Sequence, residues 1–133
     1  MKEIVEFLHK SNIQYFATIG LDGKPKVRPF QFMFEEDGRL WFCTSNQKKI
    51  YTELMRHEYV ELCTLGDNMA WLRLEGRVVF SDSLDVKDKV FEVSPLVKGV
   101  YKSPDNPDFE VFYLDEVTAS ITEMGKPAQI FKL

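Results

Sequence analysis

The amino-acid sequence predicts a mainly β protein with short helices, folded as a six-stranded antiparallel barrel. Six segments are rich in β-branched and aromatic residues, which is typical of strands. Turn-forming residues such as Asp22-Gly23 separate consecutive segments, and turns of this kind join antiparallel strands. The chain carries neither a Gly-rich dinucleotide fingerprint nor a phosphate loop, so the sequence does not favour a doubly wound parallel sheet.

Length and composition limit the classes of function. With 133 residues the chain is expected to form one domain over residues 1–133. A hydrophobic content of 44%, with eleven phenylalanines, is sufficient for a packed core. The net charge of −4 disfavours a general nucleic-acid binder or anionic-membrane binder, because such proteins present a basic surface. A local basic pocket is compatible with this charge.

Periodicity and turn chemistry place the elements along the chain. Apolar residues recur on one face of residues 2–11, which predicts an amphipathic helix. Pro29 cannot donate to a strand ladder and predicts an edge or a bulge, while Gly76 predicts a bulge or bend within a long strand. The predicted order is a helix over 2–11, strands over 13–20, 26–34 and 39–45, a helix over 47–58, strands over 60–65 and 70–81, a helix over 84–93, a loop over 95–108 with room for one helical turn, a strand over 109–123 and a short tail over 128–133.

The two cysteines and the N-terminal residues bear on the compartment. Cys43 and Cys63 each lie in a strand-like segment, so we expect small buried side chains, and no Cys/His cluster has zinc-site spacing. The N-terminal pattern is amphipathic without a long apolar segment, which predicts neither a signal peptide nor a membrane span. We therefore expect a cytoplasmic protein in a reducing compartment.

A hairpin around an acidic turn supplies the first candidate site. Residues 26–34 and 39–45 flank a turn that ends in Gly38, a pattern that predicts pairing between the two segments. A regular register would bring Arg28 close to Thr44–Ser45. A guanidinium beside two hydroxyls can bind a phosphate, although a surface ion pair would equally explain Arg28.

Two lysines at the start of the following helix extend this site. Ser45 or Asn46 is the expected N-cap, which puts Lys48 and Lys49 in the first turn. Cations there oppose the helix dipole, and an anion bound at the helix start would resolve the conflict. Two solvated lysines on a short helix are the simpler interpretation.

Trp71 and Arg73 form a second candidate group on one face of a long strand. An aromatic ring and a guanidinium on one face suit a flat heteroaromatic ligand, although a cross-strand pair or a dimer contact is the alternative. Neither group pairs a nucleophile with a base, so no catalytic residue is identified. Any chemistry would then come from a bound cofactor.

These residues resemble a known family, the FMN-binding split barrels related to pyridoxamine 5′-phosphate oxidase. The resemblance extends from the N-terminal helix to the strand that ends at Glu123. It rests on three patterns in this order: Val27-Arg28-Pro29-Phe30-Gln31-Phe32, then Phe42-Cys43-Thr44-Ser45 followed by Lys48-Lys49, then Trp71-Leu72-Arg73-Leu74-Glu75-Gly76. The resemblance implies a six-stranded antiparallel split β-barrel with FMN as its cofactor.

The resemblance also implies roles for residues of the first two patterns. Arg28, Pro29 and Phe30 would run beside the isoalloxazine and ribityl chain, with Gln31 as a polar contact. Thr44–Ser45 would bind the flavin or its phosphate.

The helix lysines and the third pattern receive roles in the same way. Lys48 and Lys49 would hold the phosphate. A second protomer completes the pocket in this family, so a homodimer is implied, with Trp71 and Arg73 over the cofactor from across the interface. The nitroimidazole-resistance branch is similar in size, but often has a histidine where Lys48 stands.

The function implied by the resemblance is an FMN-binding oxidoreductase that passes electrons from reduced flavin to a small organic acceptor. A non-catalytic carrier of flavin or haem is the alternative, and a ligand-free interaction barrel is a third hypothesis. The C-terminal arginine and histidine with which the oxidase reads its substrate's phosphate have no counterpart here, so we do not expect pyridoxal phosphate as the product.

Overall fold

A computed structural model describes all residues from Met1 to Leu133 and shows one antiparallel sheet of eight strands, not six. No helix is long and apolar enough to cross a membrane. The elements are α1 (Lys2–Lys10), β1 (Gln14–Ile19), β2 (Pro25–Phe30), β3 (Phe34–Glu36), β4 (Arg39–Ser45), α2 (Lys49–Arg56), β5 (Tyr59–Leu65), a 3₁₀ turn (Asp67–Met69), β6 (Trp71–Ser81), α3 (Leu84–Val93), α4 (Pro95–Tyr101), β7 (Phe109–Thr122) and β8 (Gln129–Lys132).

The sheet curves into a barrel that stays open along one seam. The strand order is β2-β1-β5-β6-β7-β4-β3, with β8 paired to β7, and the two end strands β2 and β3 do not pair with each other. Phe16 on β1 lies 5.8 Å from Phe42 on β4, between ring centroids, although four pairing steps separate these strands. The predicted antiparallel split barrel is therefore the observed architecture.

Two apolar clusters hold the chain together. The larger fills the barrel and is centred on phenylalanines from several strands, including Phe16, Phe42 and Phe112. The smaller lies outside the barrel, where α3 and α4 cover β4 and β7, and includes Trp41 and Phe109. This second cluster attaches α4 to the side of the barrel where β4 ends.

The strand predicted over residues 26–34 is wrong as a single element. It breaks after Phe30, so β2 pairs with β1 whereas β3 pairs with β4. The buried side chain of Gln14 accepts the Phe32 N–H at the break, 2.7 Å away. A side-chain acceptor thus replaces the strand partner that this N–H would need, and the chain can turn between two hairpins.

Two elements were missed by the sequence interpretation. The loop predicted over residues 95–108 begins with α4, whose first turn is capped by Ser94 and opened by Pro95. The tail forms β8 on the edge of β7 beyond the point where β4 stops pairing. By contrast, the bulge predicted at Gly76 is confirmed, since the β6–β7 register shifts between Glu75 and Arg77.

Candidate functional site

A cleft of about 400 Å³ opens between the β2–β3 break, the end of β4 and α4. Five of the ten predicted cofactor-binding residues line this cleft: Pro29, Phe30, Gln31, Thr44 and Lys48. The strand break positions the first three, and the β4–α2 connection positions the other two. The remaining five predicted residues lie beside the cleft or away from it.

Thr44 lines this cleft and carries a buried hydroxyl without a hydrogen-bond partner. The residue is 3% exposed. Among the buried side-chain oxygen and nitrogen atoms of the protein, only Thr44 Oγ1 has no hydrogen-bond partner. Other buried threonine hydroxyls are paired, as when Thr64 Oγ1 donates to the Ile13 carbonyl oxygen 2.8 Å away. Because an unpaired buried hydroxyl is costly, Thr44 fits a ligand that supplies a polar atom at the cleft.

The start of α2 presents positive charge with no acidic partner. The helix begins at Lys49 with Lys48 as N-cap, and no side chain caps it. The expectation of a Ser45 or Asn46 cap is wrong, because the Ser45 hydroxyl instead accepts the Gln47 N–H at 3.1 Å. Lys48 and Lys49 are exposed and form no ion pair. Free helix N–H groups and two lysines at one point can bind an anion.

Arg28 does not reach Thr44–Ser45 through a hairpin, because its strand pairs with β1 instead of β4. Its guanidinium donates from Nη2 to Glu53 Oε1 at 2.8 Å and from Nη1 to Thr18 Oγ1 at 2.7 Å. Arg28 thus forms an ion pair, as the simpler interpretation has it, but a largely buried one and not the surface pair expected, because its partner Glu53 is buried on α2.

Trp71 and Arg73 lie on the outer face of the barrel, outside the cleft of their own protomer. The Arg73 guanidinium sits over the Trp71 ring, 4.9 Å from its centroid, and donates from Nε to a Glu61 oxygen at 2.8 Å. In the strand register a row runs across this face through Pro29, Tyr15, Cys63 and Arg73. The expectation that Cys63 is buried is wrong, since it is exposed in this row.

The sequence interpretation missed the apolar half of the cleft. Its lining adds Met33, Cys43 and Ile13 to four residues of α4: Leu96, Val97, Val100 and Tyr101. The α4 contribution was hidden in a segment with three prolines, which was interpreted as a loop. The spacing of Leu96, Val97, Val100 and Tyr101 at three and four residues is the signal that could have revealed it.

Two titratable groups in the cleft stay protonated at neutral pH. Burial raises the pKa of the Cys43 thiol to about 12, against a smaller opposing effect of the Lys48 charge. Burial also raises the pKa of the Tyr101 phenol. No carboxylate or histidine lines the cleft. The cleft thus offers hydrogen-bond donors and one ammonium group, but no base or thiolate nucleophile.

Comparison with known proteins links this geometry to a family. The family model described as pyridoxamine 5′-phosphate oxidase matches residues 1–121. The crystal structure of a NimC/NimA family protein from Clostridium acetobutylicum has 32% sequence identity and a TM-score of 0.92, covering 100% of this chain and 92% of that one.

Two more distant structures share the fold. An FMN-binding protein from Nostoc punctiforme, described as related to pyridoxamine 5′-phosphate oxidase, has 20% identity and a TM-score of 0.72 over 97% of this chain and 87% of its own. A heme-binding protein from Mycobacterium smegmatis has 14% identity and a TM-score of 0.76, covering 95% of this chain and 55% of its own. No protein of curated function matches the chain.

Proposed function

Since the chain belongs to the pyridoxamine 5′-phosphate oxidase family, we propose that it is an FMN-binding oxidoreductase that passes electrons from reduced flavin to a small organic acceptor. The observation that carries the proposal is the unpaired hydroxyl of Thr44, a residue that lines the same cleft as Lys48. A ligand with polar ring atoms and an anionic group would pair with both. FMN, when bound, supplies the redox chemistry.

The residues of the chain bind and orient the cofactor in this proposal. Lys48, Lys49 and the free N–H groups of α2 neutralise the phosphate, with Ser45 beside them. Thr44 donates or accepts one hydrogen bond, and the segment from Pro29 to Gln31 faces the flavin edge. Because Arg28 is engaged with Glu53, the phosphate charge is assigned to the two lysines.

Apolar side chains form one half of the cleft. Side chains of α4 and Met33 form this wall, and the neutral Tyr101 phenol is its hydrogen-bond donor. An acceptor lodged there would meet apolar surface and one hydroxyl, which suits an uncharged, flat organic molecule.

We also propose a homodimer in which a second copy covers the outer face of β2, β1, β5 and β6. This face carries exposed apolar side chains on adjacent strands, among them Val27, Tyr15 and Leu65. Exposed apolar surface of this kind is typical of an interface. Trp71 and Arg73 of the second copy would then approach the cleft.

The free thiols of both cysteines support a reducing, cytoplasmic location.

The first test is the visible absorption spectrum of the purified protein, with identification of any chromophore released on denaturation. FMN titration of the apoprotein and of the Lys48→Ala/Lys49→Ala variant follows. We expect the variant to lose about 3 kcal/mol of binding free energy, as for two charge-assisted contacts, or roughly 100-fold in Kd. A Lys24→Ala/Lys132→Ala variant has the same net charge and should bind as the wild type. Equal affinity in both double variants would remove the phosphate assignment.

A non-catalytic carrier of flavin or haem is the second candidate. The absence of carboxylates and histidines from the cleft lining favours it, because proton transfer has few candidate groups there. Turnover separates the two functions: NADH- or NADPH-dependent reduction of quinones and nitroaromatics supports the oxidoreductase. Tight ligand binding without reduction by any donor would support the carrier.

A further inference from the structure

Glu53 is the only charged residue among the buried side chains of the protein, at 5% exposure. It lies on α2, the eight-residue helix that begins beside the cleft. Its Oε1 accepts two hydrogen bonds, one from Thr18 Oγ1 at 2.7 Å and one from Arg28 Nη2 at 2.8 Å. A buried carboxylate is costly unless it is paired in this way.

The Arg28 guanidinium joins three elements. It extends from β2, donates from Nη1 to Thr18 Oγ1 and to the Phe16 carbonyl oxygen on β1, and reaches Glu53 on α2. These acceptors lie at 2.7 to 3.2 Å and occupy a planar fork of N–H groups whose directions are fixed. The side chain therefore fixes the orientation of α2 relative to the β1–β2 hairpin.

Both residues of this ion pair are close in the chain to residues of the proposed phosphate site. Arg28 directly precedes Pro29, where one cleft wall begins, and Glu53 lies one helical turn after Lys49. Only Ile50 and Leu54 accompany Glu53 in the buried face of α2. A helix this short has little stability of its own, so few contacts determine where its lysines stand.

Stability alone does not explain a buried ion pair, because apolar residues of similar volume often serve as well or better. We propose that Glu53 is a positioning residue for the cofactor phosphate. Through Arg28 it holds the start of α2, with Lys48 and Lys49, at a fixed distance from the Pro29 wall. In this proposal Glu53 does not touch the cofactor, and Arg28 connects α2 to β1 without binding the phosphate. This inference rests on the proposed flavin site.

The ratio of FMN affinity to riboflavin affinity tests the proposal, because the two ligands differ only by the phosphate. We expect the wild type to prefer FMN and Glu53→Gln to lose about tenfold of that preference, with riboflavin affinity within about twofold of the wild type. A purely structural Glu53 would lower stability but leave the ratio in the folded fraction unchanged. Glu36→Gln, which breaks the half-exposed pair with Lys89, is the control and should retain the wild-type ratio.

Two outcomes with Glu53→Gln overturn the proposal. An unchanged ratio in Glu53→Gln would make the pair purely structural, and an increased ratio would show that the freed Arg28 binds the phosphate itself. If Glu53→Gln does not fold, Thr18→Val provides the measurement, since it removes one hydroxyl from the network and keeps both charges. Thr18→Val should lower the affinity ratio by a smaller factor. An unchanged ratio in this variant would again refute the positioning role. A wild type that binds no flavin refutes the proposed function instead, and the positioning role with it.

Discussion

Thr44→Val changes one buried hydroxyl to a methyl group and tests the cleft most directly. Both side chains are β-branched, so the strand conformation and the packing volume are retained. In the apoprotein the Thr44 hydroxyl is buried without a partner, and such a group costs about 1–3 kcal/mol. We therefore expect the variant to be more stable than the wild type without ligand, by about 1–2 kcal/mol.

The size of the chain converts this gain into a melting shift. At about 2.1 cal/mol/K of unfolding entropy per residue, a chain of 133 residues gains roughly 3–7 °C in Tm. With saturating FMN the sign should reverse, because the variant loses a hydrogen bond to the ligand. Thermal and urea unfolding, each with and without FMN, measure both effects.

Thr64→Val is the matched control for this prediction. Thr64 on β5 is 4% exposed, and its hydroxyl donates to the Ile13 carbonyl oxygen. Its replacement removes a bond and strands an acceptor, so we expect a loss of about 1 kcal/mol with and without FMN. If Thr44→Val destabilised the apoprotein as Thr64→Val does, the argument from an unpaired hydroxyl would be refuted.

Further predictions concern packing, thiol chemistry and assembly. Gly76→Ala should lower the free energy of unfolding by about 1–3 kcal/mol, because its Cβ would lie 3.0 Å from the Asp115 carbonyl oxygen. Gly99 lies on α4, and a Cβ there would meet no neighbour within 4 Å. Gly99→Ala should therefore raise the free energy of unfolding by about 0.5–1 kcal/mol, as urea unfolding would measure. With a pKa of about 12, Cys43 should resist iodoacetamide at pH 8 in the native protein and react in urea, as peptide mass analysis would reveal. Its ionisation should also lower stability as pH rises from 9 towards 12, because only the unfolded state releases the proton easily, and Cys43→Ala should flatten that decline. Val27 is 66% exposed on the outer face, and Val27→Lys should give a monomer in light scattering. Leu84 is 54% exposed on α3, and Leu84→Lys should remain a dimer. A dimer in both variants would place the interface elsewhere.

Local patterns in the sequence predicted most of the elements, because each depends on its own residues. The strand over residues 39–45 and the helix over 84–93 have the predicted bounds, since a Gly turn and a Ser cap mark their starts. The bulge at Gly76 was visible for the same reason: a position without a side chain is where a neighbouring backbone can approach. None of these three predictions required knowledge of the fold.

Pairing between distant segments was harder to predict than the elements. The acidic turn was correctly identified as a hairpin turn, but the strand before it is short, and the main chain breaks after Phe30. The break depends on Gln14, eighteen residues earlier, which supplies a hydrogen bond that no local pattern announces. Because of this break, Arg28 lies on a strand that pairs with β1 and not beside the residues of the expected phosphate group.

The candidate site divides in the same way. Thr44 and Lys48 were found because hydroxyls and cations at the start of a helix have a local meaning. The partner of Arg28 could not be found, since Glu53 lies 25 residues away on the inner face of a helix, where a sequence pattern shows only a carboxylate among apolar residues. The apolar wall on α4 was hidden by the prolines that surround it.

The position of Arg28 separates two ways in which a charge can serve a phosphate site. A cation that touches the phosphate must be free of other partners before binding, as Lys48 and Lys49 are. A cation that fixes the geometry must be held by protein acceptors beforehand, as Arg28 is by Glu53 and Thr18. In the proposed phosphate site the exposed lysines and the pre-oriented guanidinium would have complementary tasks, because a lysine is a point charge on a long stem whereas an arginine is a planar fork. In the proposed site, loss of the lysines would remove the phosphate contacts, whereas loss of Glu53 would only displace them. Both changes should therefore lower the ratio of FMN affinity to riboflavin affinity, and loss of the lysines should lower it by the larger factor.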